Sequence, residues 1–160
     1  MKKHFGLLSL MAAVFMLTAV CHAAGYIPKE DVALGGVTLG ATEDYVSGIY
    51  GEPDDITYKT TGAFGKMKTF RYGDSFFVTF GNGKVIEISS DADNGISTPA
   101  GFTVGTPLSD VKDRYRGAGY ESKDKQGKRF IRYSPEWGVY LMFREGKKGQ
   151  VGSIGIYMSP

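Results

Sequence analysis

The chain states one pattern twice. Residues 36–51 read GVTLGATEDYVSGIYG, and residues 101–116, 65 positions later, read GFTVGTPLSDVKDRYR. Five residues coincide: Gly36 with Gly101, Thr38 with Thr103, Gly40 with Gly105, Val46 with Val111, and Tyr50 with Tyr115. Such a duplication needs a fold with two places for the same local structure, which restricts the chain to architectures built from two similar units.

Each copy starts as a short helix. In the first, Thr42 is expected as the N-cap, with Glu43 and Asp44 in the positive first turn. Val46, Ile49 and Tyr50 share one face by their spacing, and Gly51 and Pro53 end the helix. In the second, Thr106 is expected to cap and Pro107 to take the first-turn position. Leu108, Val111 and Tyr115 share a face, Asp110 and Arg114 stand four apart as an ion pair, and Gly117 and Gly119 stop the helix. Helices of about three turns do not persist alone in water, so each needs a surface to pack on.

That surface is a sheet. After each helix the chain becomes rich in aromatic and β-branched residues separated by turn signals. Strands are expected near 55–60, 66–72, 75–81 and 84–90, then near 119–124, 128–134, 138–144 and 150–158. Asn82-Gly83 is the strongest hairpin signal. The fold class is therefore α+β: two tandem helix-plus-β-meander repeats, with short helices packed on one face of an antiparallel sheet of about eight strands. The divisions are an N-terminal segment 25–35, repeat 1 over 36–97 and repeat 2 over 98–160, in one compact domain.

Alternation along the strands assigns faces. Phe70, Tyr72, Phe76, Val78, Phe80, Ile86 and Ile88 fall to the helix side, as do Ile131, Tyr133, Val139, Leu141, Phe143, Ile154 and Ile156. The opposite face then carries Arg71, Phe77, Thr79 and Glu87 from one copy, and Phe130, Arg132, Tyr140, Met142 and Tyr157 from the other. Aromatic residues and arginine on an open face are the side chains that dominate binding hot spots. Phe77, Phe130, Arg132, Tyr140 and Tyr157 are thus the candidate partner-binding residues; Trp137 of SPEWGV, at a strand entry, is expected either as a packed aromatic covering its hairpin or as a further interface anchor. The competing expectation is that segment 25–35 or a loop covers this face as a second core.

Residues 1–24 have the layout of a secretory signal: Lys2 and Lys3, an apolar run from Phe5 to Val20, then small residues, with cleavage expected after Ala23 or Ala24. Cys21 offers a lipid anchor as the alternative, but Val20 stands where a small residue is usual. Cleavage removes Cys21, His4 and His22, the only cysteine and both histidines. An exported chain without them has no Cys–His or Ser–His–Asp nucleophile, no zinc or copper site of the usual ligands, and no disulfide. No enzyme activity and no cofactor or metal are expected.

Two acidic stretches qualify that expectation. Glu52, Asp54 and Asp55 are the only carboxylate grouping suggestive of a hydrolase, the remotest of the functional alternatives. Asp91, Asp93 and Asn94 begin like a calcium loop, but Gly95 and Phe102 fall at its fifth and twelfth positions, so SDADNG reads as the connection between copies. After cleavage 17 basic and 17 acidic residues remain, divided unevenly: residues 25–100 carry 6 basic and 11 acidic, residues 101–160 carry 11 basic and 6 acidic. Nucleic acid is not an expected partner of a balanced, exported chain; an anionic envelope component suits the stretch KDKQGKRFIRY better.

Gly40, Thr42, Val46, Gly51 and Pro53 in LGATEDYVSGIYGEP resemble the signature opening the SmpA/OmlA-type outer-membrane-protein assembly lipoproteins, and the doubled helix–meander unit resembles the tandem layout of β-lactamase inhibitor protein. The resemblance implies an exported, non-catalytic module that binds a protein partner, in the envelope or outside the cell; the chain is expected to be a monomer. A carbohydrate- or lipid-binding module using the same open face is the alternative.

Overall fold

In a computed structural model, which describes residues 27–117 and 119–160, a 3-10 turn at Lys29–Asp31 leads into a small hairpin. Strand β1 (Ala33–Leu34) pairs with β2 (Val37–Thr38) across Gly35-Gly36. The expected signal segment 1–24, with its cleavage point, Cys21 and both histidines, lies outside the described residues.

Helix α1 (Glu43–Tyr50) and the meander β3 (Asp55–Thr61), β4 (Gly65–Tyr72), β5 (Phe76–Gly81) and β6 (Lys84–Ser90) follow. Helix α2 (Leu108–Arg114) then precedes a second meander, β7 (Tyr120–Lys123), β8 (Arg129–Glu136), β9 (Val139–Glu145) and β10 (Val151–Met158). All eight meander strands join one antiparallel sheet in the order β3-β4-β5-β6-β10-β9-β8-β7. The seam is the pairing of the last strand of each meander, with Ile156 opposite Ile88 and Gly155 opposite Ser89. Asn82 and Gly83 turn the β5–β6 hairpin at φ 51° and 72°, the left-handed pair a tight two-residue turn requires.

The duplicated residues occupy matching places. The Gly40 amide donates to the Val85 carbonyl at 2.8 Å, and the Val85 amide returns a bond to Ala41 at 2.9 Å. In the second half Gly105 donates to Val151, and Val151 to Thr106, both at 2.8 Å. These bonds tie the residues before each helix to the last strand of that half. Gly40 and Gly105 hold φ values of 79° and 96°, which a side chain would strain. Val46 and Val111 are both fully buried.

Each helix covers an aromatic layer. Tyr50 packs on Tyr72 and Phe76 with ring centroids 5.1 and 5.0 Å apart, and Tyr115 packs on Tyr133 at 5.0 Å. Burial pushes the Tyr133 phenol up to about 12 and lifts Tyr115 well above the ordinary tyrosine range, so both remain neutral hydroxyls. The Tyr115 hydroxyl also faces the Asp31 carboxylate, without reaching a hydrogen-bonding geometry. Ile27, Leu34 and Val37 lie in the same helix-side core, and buried Asp31 binds Arg114 at 3.1 Å. The described part of segment 25–35 therefore closes the helix-side core and leaves the opposite face uncovered by it.

Four local expectations are corrected. Ile49 is 46% exposed, because the α1 face that meets the sheet centres on Val46 and Tyr50. Ile86 leaves the helix side: a β-bulge opposite Thr79–Phe80 gives that place to Val85 and sets Ile86 against Gly81 on the other face. Thr106 does not cap α2; its hydroxyl accepts from the Thr103 amide, Pro107 holds the cap position, and Gly149 accepts the Leu108 amide. Arg114 turns to Asp31 rather than to Asp110. Thr42 caps α1 as expected, accepting from the Tyr45 amide at 3.1 Å.

Candidate functional site

The strand register builds the helix-free face as rows. One row runs across all eight strands as Tyr120, Arg132, Met142, Gly155, Ser89, Phe77, Arg71 and Asp55. The neighbouring row places Tyr140, Tyr157, Glu87, Thr79 and Thr69 side by side. Alternation put the expected residues on this face, and the register decides which of them meet.

Arg132, Tyr140 and Tyr157 meet. The Arg132 guanidinium carbon lies 4.6 Å from the Tyr140 ring centroid and 5.1 Å from that of Tyr120, so two rings hold it. Tyr157 lies 5.3 Å beyond Tyr140, and Phe130 flanks Tyr120 at 6.3 Å. The result is a continuous band of aromatic rings around one arginine, made by β7, β8, β9 and β10. Phe77 is on the same face but four strands from Arg132, about 19 Å at ordinary strand spacing. Trp137 is in the β8–β9 turn and 93% exposed. Neither joins the band.

A concave groove of about 610 Å³ lies between the band and the first half. Met67, Ile86, Met142 and Tyr157 supply apolar lining, with Glu87, Asp91 and Arg144 also bordering it. Gly155 lies in the sheet beneath, and a side chain there would project into open space. Crowding on the sheet raises the Glu87 carboxyl above its usual range, an effect Lys59 opposes, although the residue keeps part of its surface in solvent.

Tyr120 and Gly155 are the components that alternation alone missed. Tyr120 was legible from the repeat, since it stands 65 positions after Asp55, the cross-strand partner of Arg71. A glycine amid the apolar pattern of β10 was the signal for Gly155.

The acidic stretches have structural attachments. Asp54 accepts the Gly73 amide at 2.6 Å, and Asp55 stands beside Arg71 at 3.9 Å. Asn94 accepts the Ile96 amide and binds Ser75 in the connection between the halves. Among the described residues no three His, Cys, Asp or Glu side chains group closely enough to hold a metal ion, and no helix is long and apolar enough to cross a membrane.

No protein-family profile matches the chain, and no curated protein matches its sequence. Among solved structures it is similar to an extracellular protein containing an SCP domain from Bacillus anthracis, with a TM-score of 0.52 and 13% identity. That alignment covers 76% of this chain and 44% of the other, so this chain spans less than half of that protein's length. A DUF4309 family protein (YjgB) from Bacillus subtilis aligns over 84% of this chain and 88% of its own, at 15% identity and a TM-score of 0.44. At 13% identity the likeness to that protein, described as extracellular, is one of fold alone.

Proposed function

We propose that the chain is an exported, non-catalytic binding module that engages a protein partner in the envelope or outside the cell through its helix-free sheet face. The observation that carries this reading is the band of Tyr120, Arg132, Tyr140 and Tyr157: aromatic rings and an arginine, half-exposed, on a face that no described element covers. The signal-like residues 1–24 and the resemblance to the SmpA/OmlA and β-lactamase inhibitor protein layouts support the same reading. Capture of partners from a native envelope extract tests it. Tyr140→Ala and Phe130→Ala are expected to abolish capture and to hardly move the melting temperature. Undiminished capture, or a fall of several degrees in melting temperature, refutes the face as a partner site.

The apolar groove favours a second reading, a carbohydrate or lipid ligand lying along Met67, Ile86 and Met142. A glycan array and vesicle sedimentation separate it from the first, because a protein-binding face gives no saturable signal in either.

A further inference from the structure

We infer that Arg132 is a carboxylate-recognition site, clamped open by Tyr120 and Tyr140 to receive an Asp or Glu side chain of the partner. The inference rests on the protein-binding reading above and names the chemistry that the partner must present.

The molecule contains its own comparison. Phe70-Arg71-Tyr72 and Ile131-Arg132-Tyr133 are the same step of the two meanders, and both arginines point to the helix-free face. Arg71 is satisfied within the chain: Asp74 lies 3.5 Å away, Asp55 stands at 3.9 Å on the paired strand, and Gly73 offers its carbonyl. At the place of Asp55 the second half has Tyr120. The exchange removes the acid and supplies a ring. Among the described residues Arg132 has no ion pair and no hydrogen bond from its side chain; its contacts are the two ring faces.

No acid of its own half is available to it. Glu121 binds Lys112 at 2.7 Å, Asp124 binds Arg144 at 3.3 Å, Glu136 binds Lys29 at 3.1 Å, and Glu145 binds Arg129 at 3.0 Å. Asp110 and Asp113 are on α2, across the sheet. Of the cations on the neighbouring strand positions, Arg129 and Arg144 are thereby paired and Arg132 is not, in a half of the chain with 11 basic and 6 acidic residues.

Ring contacts hold a guanidinium without using its N–H donors. The donors remain free as a planar fork, which matches the two oxygens of a carboxylate. Holding the side chain in advance lowers the ordering cost of binding. A single fork suits a carboxylate better than a phosphate, since Arg144, which faces the same side two residues along β9 from Met142, is already paired with Asp124. Phe130 and Tyr157 flank the clamp, so the acid is expected within an apolar or aromatic stretch.

The test is selection of linear peptides from a displayed library on the full exported chain, followed by synthesis of the best binder. Enriched peptides are expected to carry Asp or Glu beside apolar residues. Changing that acid to its amide should weaken binding at least tenfold, and Arg132→Gln and Arg132→Lys should each do the same. In the wild-type chain the Arg132 side-chain N–H resonance should shift on addition of the acidic peptide and not of its amide form, a readout independent of whether a variant folds. Enriched peptides without acids, or equal binding to Arg132→Gln, overturn the carboxylate assignment and leave the protein-binding face standing provided Tyr140→Ala still abolishes binding. Displacement of the peptide by phosphatidylglycerol vesicles but not by acetate overturns it in favour of a lipid phosphate. Failure to enrich any peptide sensitive to Tyr140→Ala overturns both readings together.

Discussion

Trimming the two repeated valines tests the repeat and its energetics at once. Val46 and Val111 are each fully buried on the core-facing side of their own helix, and Val→Ala removes two carbons from each site. At about 0.8 kcal/mol per buried carbon this loses about 1.6 kcal/mol, and the cavity left behind brings the total to about 2–3 kcal/mol. In a domain of this length each kcal/mol moves the melting temperature by about 4 °C, so either variant should melt about 8–12 °C lower. Urea unfolding followed by circular dichroism should show lower midpoints with unchanged slope. Ile49→Ala is the control on the same helix. With Ile49 46% exposed, and alanine the better helix former, its cost should stay below about 1 kcal/mol. Equal losses for Ile49→Ala and Val46→Ala would refute the face assignment, and an unmoved midpoint for Val111→Ala would refute the equivalence of the two helices.

Glu145 should titrate far below an ordinary carboxylate, at about 2, because Arg129 binds both its oxygens and the Gly149 amide donates to it. Its folded value is depressed, so the stability it contributes is fully present above the ordinary carboxylate range and is lost as pH falls through about 2; carboxyl-carbon NMR checks this, and Arg129→Gln should return the midpoint toward the usual range. Gly152→Ala should destabilise by more than about 2 kcal/mol, because the added methyl meets the Gly146 backbone. Gly155→Ala, whose methyl enters open space, should be neutral or stabilising in the same melting assay.

The strands and the two faces were legible because hydrophobic alternation survives wherever pairing is regular. Ile86 shows where it fails: one extra residue in β6 reverses the phase, and an apolar side chain reads the same on either side of the slip. Thr106 failed for a different reason. A threonine before proline satisfies the sequence rule for a cap, but the Gly149 carbonyl takes the first helical amide and frees the hydroxyl for Thr103. The small hairpin at Leu34-Gly35-Gly36-Val37 carried its Gly-Gly signal, yet its strands have two residues each and fall below any periodicity. At the site, the side chains facing away from the helices were readable one by one. That Arg132 meets Tyr140 and Tyr120 while Phe77 lies four strands off depends on β6 pairing with β10, a long-range choice that no local pattern states.

The seam has a consequence for synthesis. Strand β10 is made after the other seven strands of the sheet, yet it occupies a central position between β6 and β9. Until it emerges, β6 has a bare hydrogen-bonding edge flanked by Val85, Ile86 and Ile88, and the second meander lacks its link to the first. An unfinished chain thus offers an apolar strand edge to any neighbour, the usual start of misassembly.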